Sequence, residues 1–143
     1  MSEKTVTVVD KETNNSYTFD YRGSLSSYKV DGYDIDMNLS LGENLADIGG
    51  LIICEDALET IYNEMKLSET EKEARYKTFY KYYISEWKEK TRKKTTDIQM
   101  KTNEHLHSKY RCNGTLMNSE NFKKIYKIKK GDKMFNENIV AIW

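Results

Sequence analysis

The chain has 143 residues, 38% hydrophobic and 32% charged, which is long enough to bury a core of its own. Lys+Arg and Asp+Glu both total 23, so the formal charge is zero and the long-range field expected of a nucleic-acid-binding or membrane-surface protein is missing. No apolar run approaches the roughly 20 residues a membrane-spanning helix needs, and MSEKTVTVVDKE lacks the basic-then-apolar order of a secretory signal, so the sequence reads as cytoplasmic.

TVTVV (5–9) and SYTFD (16–20) are β-branched or alternating, and DKETNN between them supplies turn residues, predicting a small N-terminal β-hairpin. RGSLSSYKVDGYDIDMN (22–38) reads as loop carrying a second small hairpin at Asp31-Gly32. Ser40 is a candidate helix cap, and Leu45, Ile48, Ile52, Leu58, Ile61, Tyr62 and Met65 follow at helical spacing to about Lys66. Ser68 and Glu71 form a capping box opening a helix over 69–92, whose stripe of Tyr76, Phe79, Tyr80, Tyr83, Ile84 and Trp87 is suited to core packing. KEKTRKK (88–94) reads as the basic, solvated end of that helix. Asn113-Gly114 predicts a turn, Asn118 or Ser119 caps a short helix to about Lys127, and Gly131-Asp132 begins an extended tail. The two cysteines, Cys54 and Cys112, belong to no C-x-x-C pair and are expected to be free, packed thiols. No repeat or linker divides the chain, which reads as one mainly α domain or part of a larger one.

The stretch LSLGENLADIGGL (39–51) stands out. On a helix, Glu43 and Asp47 are one turn apart, and Gly50 and Cys54 continue the same strip. Gly49 and Gly50 each cost a helix about 1 kcal/mol against Ala, which makes sense where another backbone approaches closely. Two acids four apart are by themselves a weak signal, since solvated helix faces often carry them.

The surrounding letters are more specific. GENLADIGGL resembles the G-E-N-[IL]-A-D-x-G-G-[LI] segment of the neprilysin and endothelin-converting-enzyme family of zinc metallopeptidases. FYKYYISEW (79–87) looks like that family's aromatic helix ending in Trp. HLHSKYRCNGTLMNSENFKKIYKIKKGDKMF (105–135) is similar to its H-S-P-x-x-x-R-V-N-G-x-L-x-N-x-x-x-F-x-x-x-F…G-x-x-M segment, and the closing Ile142-Trp143 fits as well. The resemblance covers about 33–143 and leaves 1–32 as a hairpin-like extension.

The resemblance implies the C-terminal part of a neprilysin-like (zincin) catalytic domain that hydrolyses internal bonds of oligopeptides. It assigns Glu43 as the third zinc ligand beside the two histidines of an H-E-x-x-H helix. Asp47 would hydrogen-bond a zinc histidine, His105 would stabilise the oxyanion, and Arg111 would hold a substrate carbonyl. Read without the resemblance, the last two are a surface histidine and a salt-bridging arginine. The family's Ser-Pro after the histidine is Leu106-His107 here, Asn103 replaces an acid, and Cys112 replaces an aliphatic residue. His105 and His107 also form an H-x-H pair, with no third ligand nearby.

The sequence contains no H-E-x-x-H, since 105 and 107 are its only histidines. A lone carboxylate does not hold zinc tightly, so the 143 residues alone are expected to be inactive, with the missing half as a partner and oligopeptides as substrate. A non-catalytic descendant that binds peptides or proteins, and an unrelated helical interaction module, are the competing readings.

Overall fold

The computed structural model describes residues 6–9, 11, 13–19 and 25–140. The expected strand ends at Thr5 and Asp20, and the closing Ile142-Trp143, lie outside them. The described residues are mainly helical and group into two compact units, 1–43 with 90–107 and 44–89 with 108–143.

The first unit holds an antiparallel sheet of β1 (Val6–Val9), β2 (Ser16–Phe19), β3 (Leu25–Val30) and β4 (Tyr33–Asp36), in that spatial order. The N-terminal hairpin is present, with Val6 opposite Phe19 and Val9 opposite Ser16. The second is longer than a small hairpin within a loop, because 25–36 is almost wholly strand. Its two-residue turn has Asp31 at φ 49° and Gly32 at φ 82°, the double left-handed geometry that matches the twist of paired strands. Along β4 the side chains alternate, with Ile35 buried between exposed Asp34 and Asp36.

A helix not expected from the sequence, α3 (Lys93–Thr102), completes this unit. It has no side-chain cap and buries one residue, Met100, so its stability comes from packing on β4 rather than from local signals. Tyr33 Oη of β4 donates to Asp97 Oδ1 at 2.7 Å, and Gln99 Nε2 reaches the carbonyls of His105 and Leu106. KEKTRKK is therefore not a helix end: the preceding helix stops before it and α3 begins at Lys93.

The long helix α1 (Met37–Glu64) starts three residues before Ser40. Asp36, not Ser40, serves its N-terminus by accepting the Asn38 N–H at 2.9 Å, while the buried Ser40 hydroxyl turns back to the Asp36 carbonyl. In the second unit its buried positions are Ile48, Leu51, Glu55 and Tyr62, whereas Ile61 and Met65, expected in the core, are exposed. α2 (Glu69–Glu86) opens with the expected capping box: Ser68 N–H donates to Glu71 Oε2 and the Ser68 hydroxyl accepts from Glu71 N–H. It ends at Glu86, with Trp87 as its C-cap, six residues short of the expected boundary.

α4 (Ser108–Met117) runs straight through Asn113-Gly114, where a turn was expected. Burial of Cys112, Thr115 and Leu116 outweighs the local turn signal, and Asn118 Nδ2 caps the Gly114 carbonyl at 2.8 Å. Ser119 then caps α5 (Glu120–Tyr126), which closes at Lys127 in the left-handed region. Leu51, Tyr62, Tyr76, Tyr80, Cys112, Leu116, Phe122 and Ile125 form the core, with Tyr76 edge-on to Tyr62 and Tyr80 edge-on to Phe122. The aromatic stripe is thus core, as its spacing predicts. Cys112 is packed there, but Cys54 is exposed rather than packed.

Glu55, 7% exposed, sits inside this aromatic cluster. Its Oε1 accepts the hydroxyls of Tyr80 and Ser119, each at 2.6 Å. Burial pushes its pKa up, against the opposing pull of those two hydroxyls. A carboxyl raised above its unfolded value binds protons more readily when folded. Its contribution to stability is therefore full below the unfolded value and is lost as pH rises through the folded one. Glu55→Gln should accordingly unfold at higher urea concentration than the parent at pH 8, with the gain shrinking towards pH 4. Glu55→Ala, which strands two hydroxyls, should lose about 1–3 kcal/mol in the same titration.

Candidate active site

Glu43 and Asp47 both lie on α1, four residues apart, and each has found a basic partner. In the first unit, His105 follows α3 in a short non-helical segment where the Asn103 side chain accepts its N–H at 2.8 Å. Its Nε2 stands 2.8 Å from Glu43 Oε2, and its Nδ1 is 3.7 Å from Glu104 Oε1. An ionised carboxylate only accepts, so this contact puts a proton on Nε2. Both side chains are partly open to solvent, 41% for His105 and 38% for Glu43.

In the second unit, Arg111 projects from the first turns of α4. Its Nε donates to Asp47 Oδ2 at 2.7 Å and its Nη2 to Oδ1 at 2.6 Å, a two-pronged fork. The pair is largely withdrawn from water, Asp47 at 12% and Arg111 at 19% exposure. Trp87, at the C-terminal cap of α2, lays its ring beneath the guanidinium, with Cζ 4.7 Å from the ring centroid. Tyr83 backs the indole from within the same helix end.

The structure thus brings Glu43 to His105 and Asp47 to Arg111, each pair within its own unit. Asp47 is engaged by Arg111, a pairing that the sequence did not anticipate. His107 Nε2 lies 2.9 Å from the Thr91 hydroxyl. Among the described residues, no group of three His, Cys, Asp or Glu side chains could hold a metal ion.

Glu43 nonetheless fits one position in such a set. His105 uses Oε2, and Oε1 has no partner among the described residues, so the carboxylate has a coordinating oxygen to offer. The zinc of this type of centre requires two further protein ligands, which the described residues do not assemble.

Farther along α1, Gly50, Ile53, Cys54, Ala57, Ile61 and Met65 form an exposed small and apolar face. A methyl group added at Gly50 would meet nothing within 4 Å. The close approach for which the glycines are suited is therefore not made at Gly50 by the described part of this chain.

The helix bearing G-E-N-L-A-D, the aromatic helix ending in Trp87 and the segment bearing His105 and Arg111 define a zinc-peptidase type of domain. A sequence model of peptidase family M13 matches residues 7–142, and the chain belongs to that family of zinc-dependent peptidases. Neprilysin-3 of Drosophila melanogaster is 27% identical over 122 residues, covering 82% of this chain and 16% of that protein. The chain therefore spans about a sixth of the length of the curated relative it matches. No solved structure matches. The family match reaches back to residue 7, so the sheet lies within the family's span as well.

The Asp47–Arg111 fork should be a strongly coupled pair. Asp47→Asn and Arg111→Met are each expected to cost about 2 kcal/mol, because each strands the other's charge. The double variant should cost at least 1 kcal/mol less than the sum, a coupling measured by urea unfolding of all four chains.

Proposed function

We propose that this chain is the C-terminal part of a zinc metalloendopeptidase that cleaves internal bonds of oligopeptides. The observation that carries the reading is Glu43. By resemblance it matches the acid of the G-E-N motif, and it lies on a helix, partly exposed, with no partner on its second carboxylate oxygen among the described residues. Glu43 would supply one ligand to a zinc whose histidines would come from an H-E-x-x-H helix, a motif these 143 residues do not contain. When bound, the zinc polarises the scissile carbonyl and acidifies water.

The family resemblance assigns the other residues roles that their donors and acceptors can serve. His105 presents an N–H suited to a developing oxyanion. Arg111, fixed by Asp47, presents a guanidinium to a substrate carbonyl. Asp47 can take a further hydrogen bond from a zinc histidine, which would fix the tautomer of that ligand. The exposed face from Gly50 to Met65 supports a second helix packing along α1, because small residues let two backbones approach closely. Free cysteines, one of them exposed, fit a reducing cytoplasmic setting.

The chain alone is expected to cleave no quenched oligopeptide in the presence of zinc. Fused behind, or mixed with, an H-E-x-x-H-bearing segment of an M13 peptidase, it should yield cleavage that a chelator abolishes. Glu43→Ala should abolish that activity, and His105→Phe should lower kcat about 100-fold. A folded, zinc-loaded hybrid without activity would sink this reading and favour a non-catalytic, peptide-binding descendant.

A further inference from the structure

Arg111 is held by more than its ion pair. The fork to Asp47 fixes the guanidinium within its own plane, since Nε and Nη2 must both point at one carboxylate. It leaves the tilt of that plane about the carboxylate axis undetermined, because both hydrogen bonds survive a hinge motion of several tens of degrees. Arg111 Cζ stands over the Trp87 ring, 4.7 Å from its centroid, and attraction to that face favours one tilt over others. Trp87 cannot readily move: its backbone N–H is held by the carbonyls of Ile84 and Ser85, and its indole is backed by Tyr83.

From this geometry we infer that Trp87 is a positioning residue, setting the tilt of the Arg111 guanidinium and hence its aim at a substrate carbonyl. The inference rests on the reading of Arg111 as the substrate anchor. Within the stripe, Tyr76 and Tyr80 are enclosed by other core residues. Trp87 instead stands at the open end of the helix, packed on Tyr83 and on a cation. A Phe keeps an aromatic face at this place, whereas a Leu stays apolar and removes the aromatic attraction for the cation.

The experiment reads Arg111 directly. With arginine labelled by nitrogen-15 in the full chain, the Nε–H resonance of Arg111 is assigned by its disappearance in Arg111→Lys. Its exchange with water should be about fivefold faster in Trp87→Leu and within about twofold of the parent in Trp87→Phe, with unfolding midpoints recorded to show that both variants fold. In the active hybrid the same Leu variant should raise KM about fivefold and leave kcat within about twofold, with Phe restoring KM.

An Nε–H exchange rate indifferent to Trp87→Leu in a folded chain overturns the inference. Failure of the underlying reading looks different: exchange responds to Trp87, yet Arg111→Lys leaves KM unchanged. Trp87 then steadies an ion pair that no substrate uses, and the positioning role falls with it.

Discussion

The helical unit depends on one carboxyl group. Glu55 belongs to α1, Tyr80 to α2, and Ser119 to the cap of α5; a single oxygen, Oε1, receives both hydroxyls. Asn121 donates in turn to the Tyr80 hydroxyl, and Ser119 also accepts the Phe122 N–H, so the same few atoms close the N-terminus of α5. Apolar burial around them is non-directional and would tolerate several helix rotations. The hydroxyl–carboxyl node does not, because leaving any member unpaired in the interior costs more than the bond itself contributes. Burial also pushes the Tyr80 hydroxyl far up, which keeps it a donor at any physiological pH.

Fixing α1 in this way determines what its other face can do. The same helix that sends Leu51, Glu55 and Tyr62 inward turns Gly50, Ile53, Ala57 and Ile61 outward. A conventional amphipathic helix would carry charges there. α1 is instead apolar on much of both sides, as suits a helix buried in a larger domain. Of its acids, Glu43 and Asp47 near its start are each committed to a basic partner.

The sequence made part of this visible and hid the rest for identifiable reasons. Alternating β-branched residues revealed the first hairpin, the Ser68–Glu71 box revealed the start of α2, and the aromatic spacing revealed its buried side. These signals are local. α3 was missed because KKTTDIQMKT combines β-branched threonines with one core residue, and the contact that holds it, Tyr33 to Asp97, joins distant parts of the chain. Asn113-Gly114 misled because tertiary burial of Leu116 and Cys112 overrode a genuine turn preference. Glu55 could have been noticed: it falls four after Leu51 and three before Leu58, a core position held by an acid, which signals a buried hydrogen-bonded carboxyl. For the candidate site, Glu43, Asp47, His105 and Arg111 were named from resemblance to a known motif. That Asp47 pairs with Arg111 and Glu43 with His105 is a matter of three-dimensional partnership, and no spacing announces it. The stacking of Arg111 on Trp87 was hidden for the same reason.

On the proposed reading, these partnerships also constrain how the residues would work. His105 has one Nε2–H and gives it to Glu43, so donation to a substrate oxygen requires that bond to be shared or broken. With both groups partly hydrated, breaking it costs about 1 kcal/mol or less, small beside the transition-state stabilisation an oxyanion donor supplies. Arg111 is in the opposite situation. Its fork to Asp47 is withdrawn from water and stacked on an indole, so rupture would leave two poorly solvated charges. It must therefore act with the fork intact, as a pre-aimed donor rather than a mobile one. One basic residue suited to exchange partners and another suited to hold still is the division of labour expected where one hydrogen bond must form late, on a charge that appears only in the transition state, and another must already hold the substrate in place.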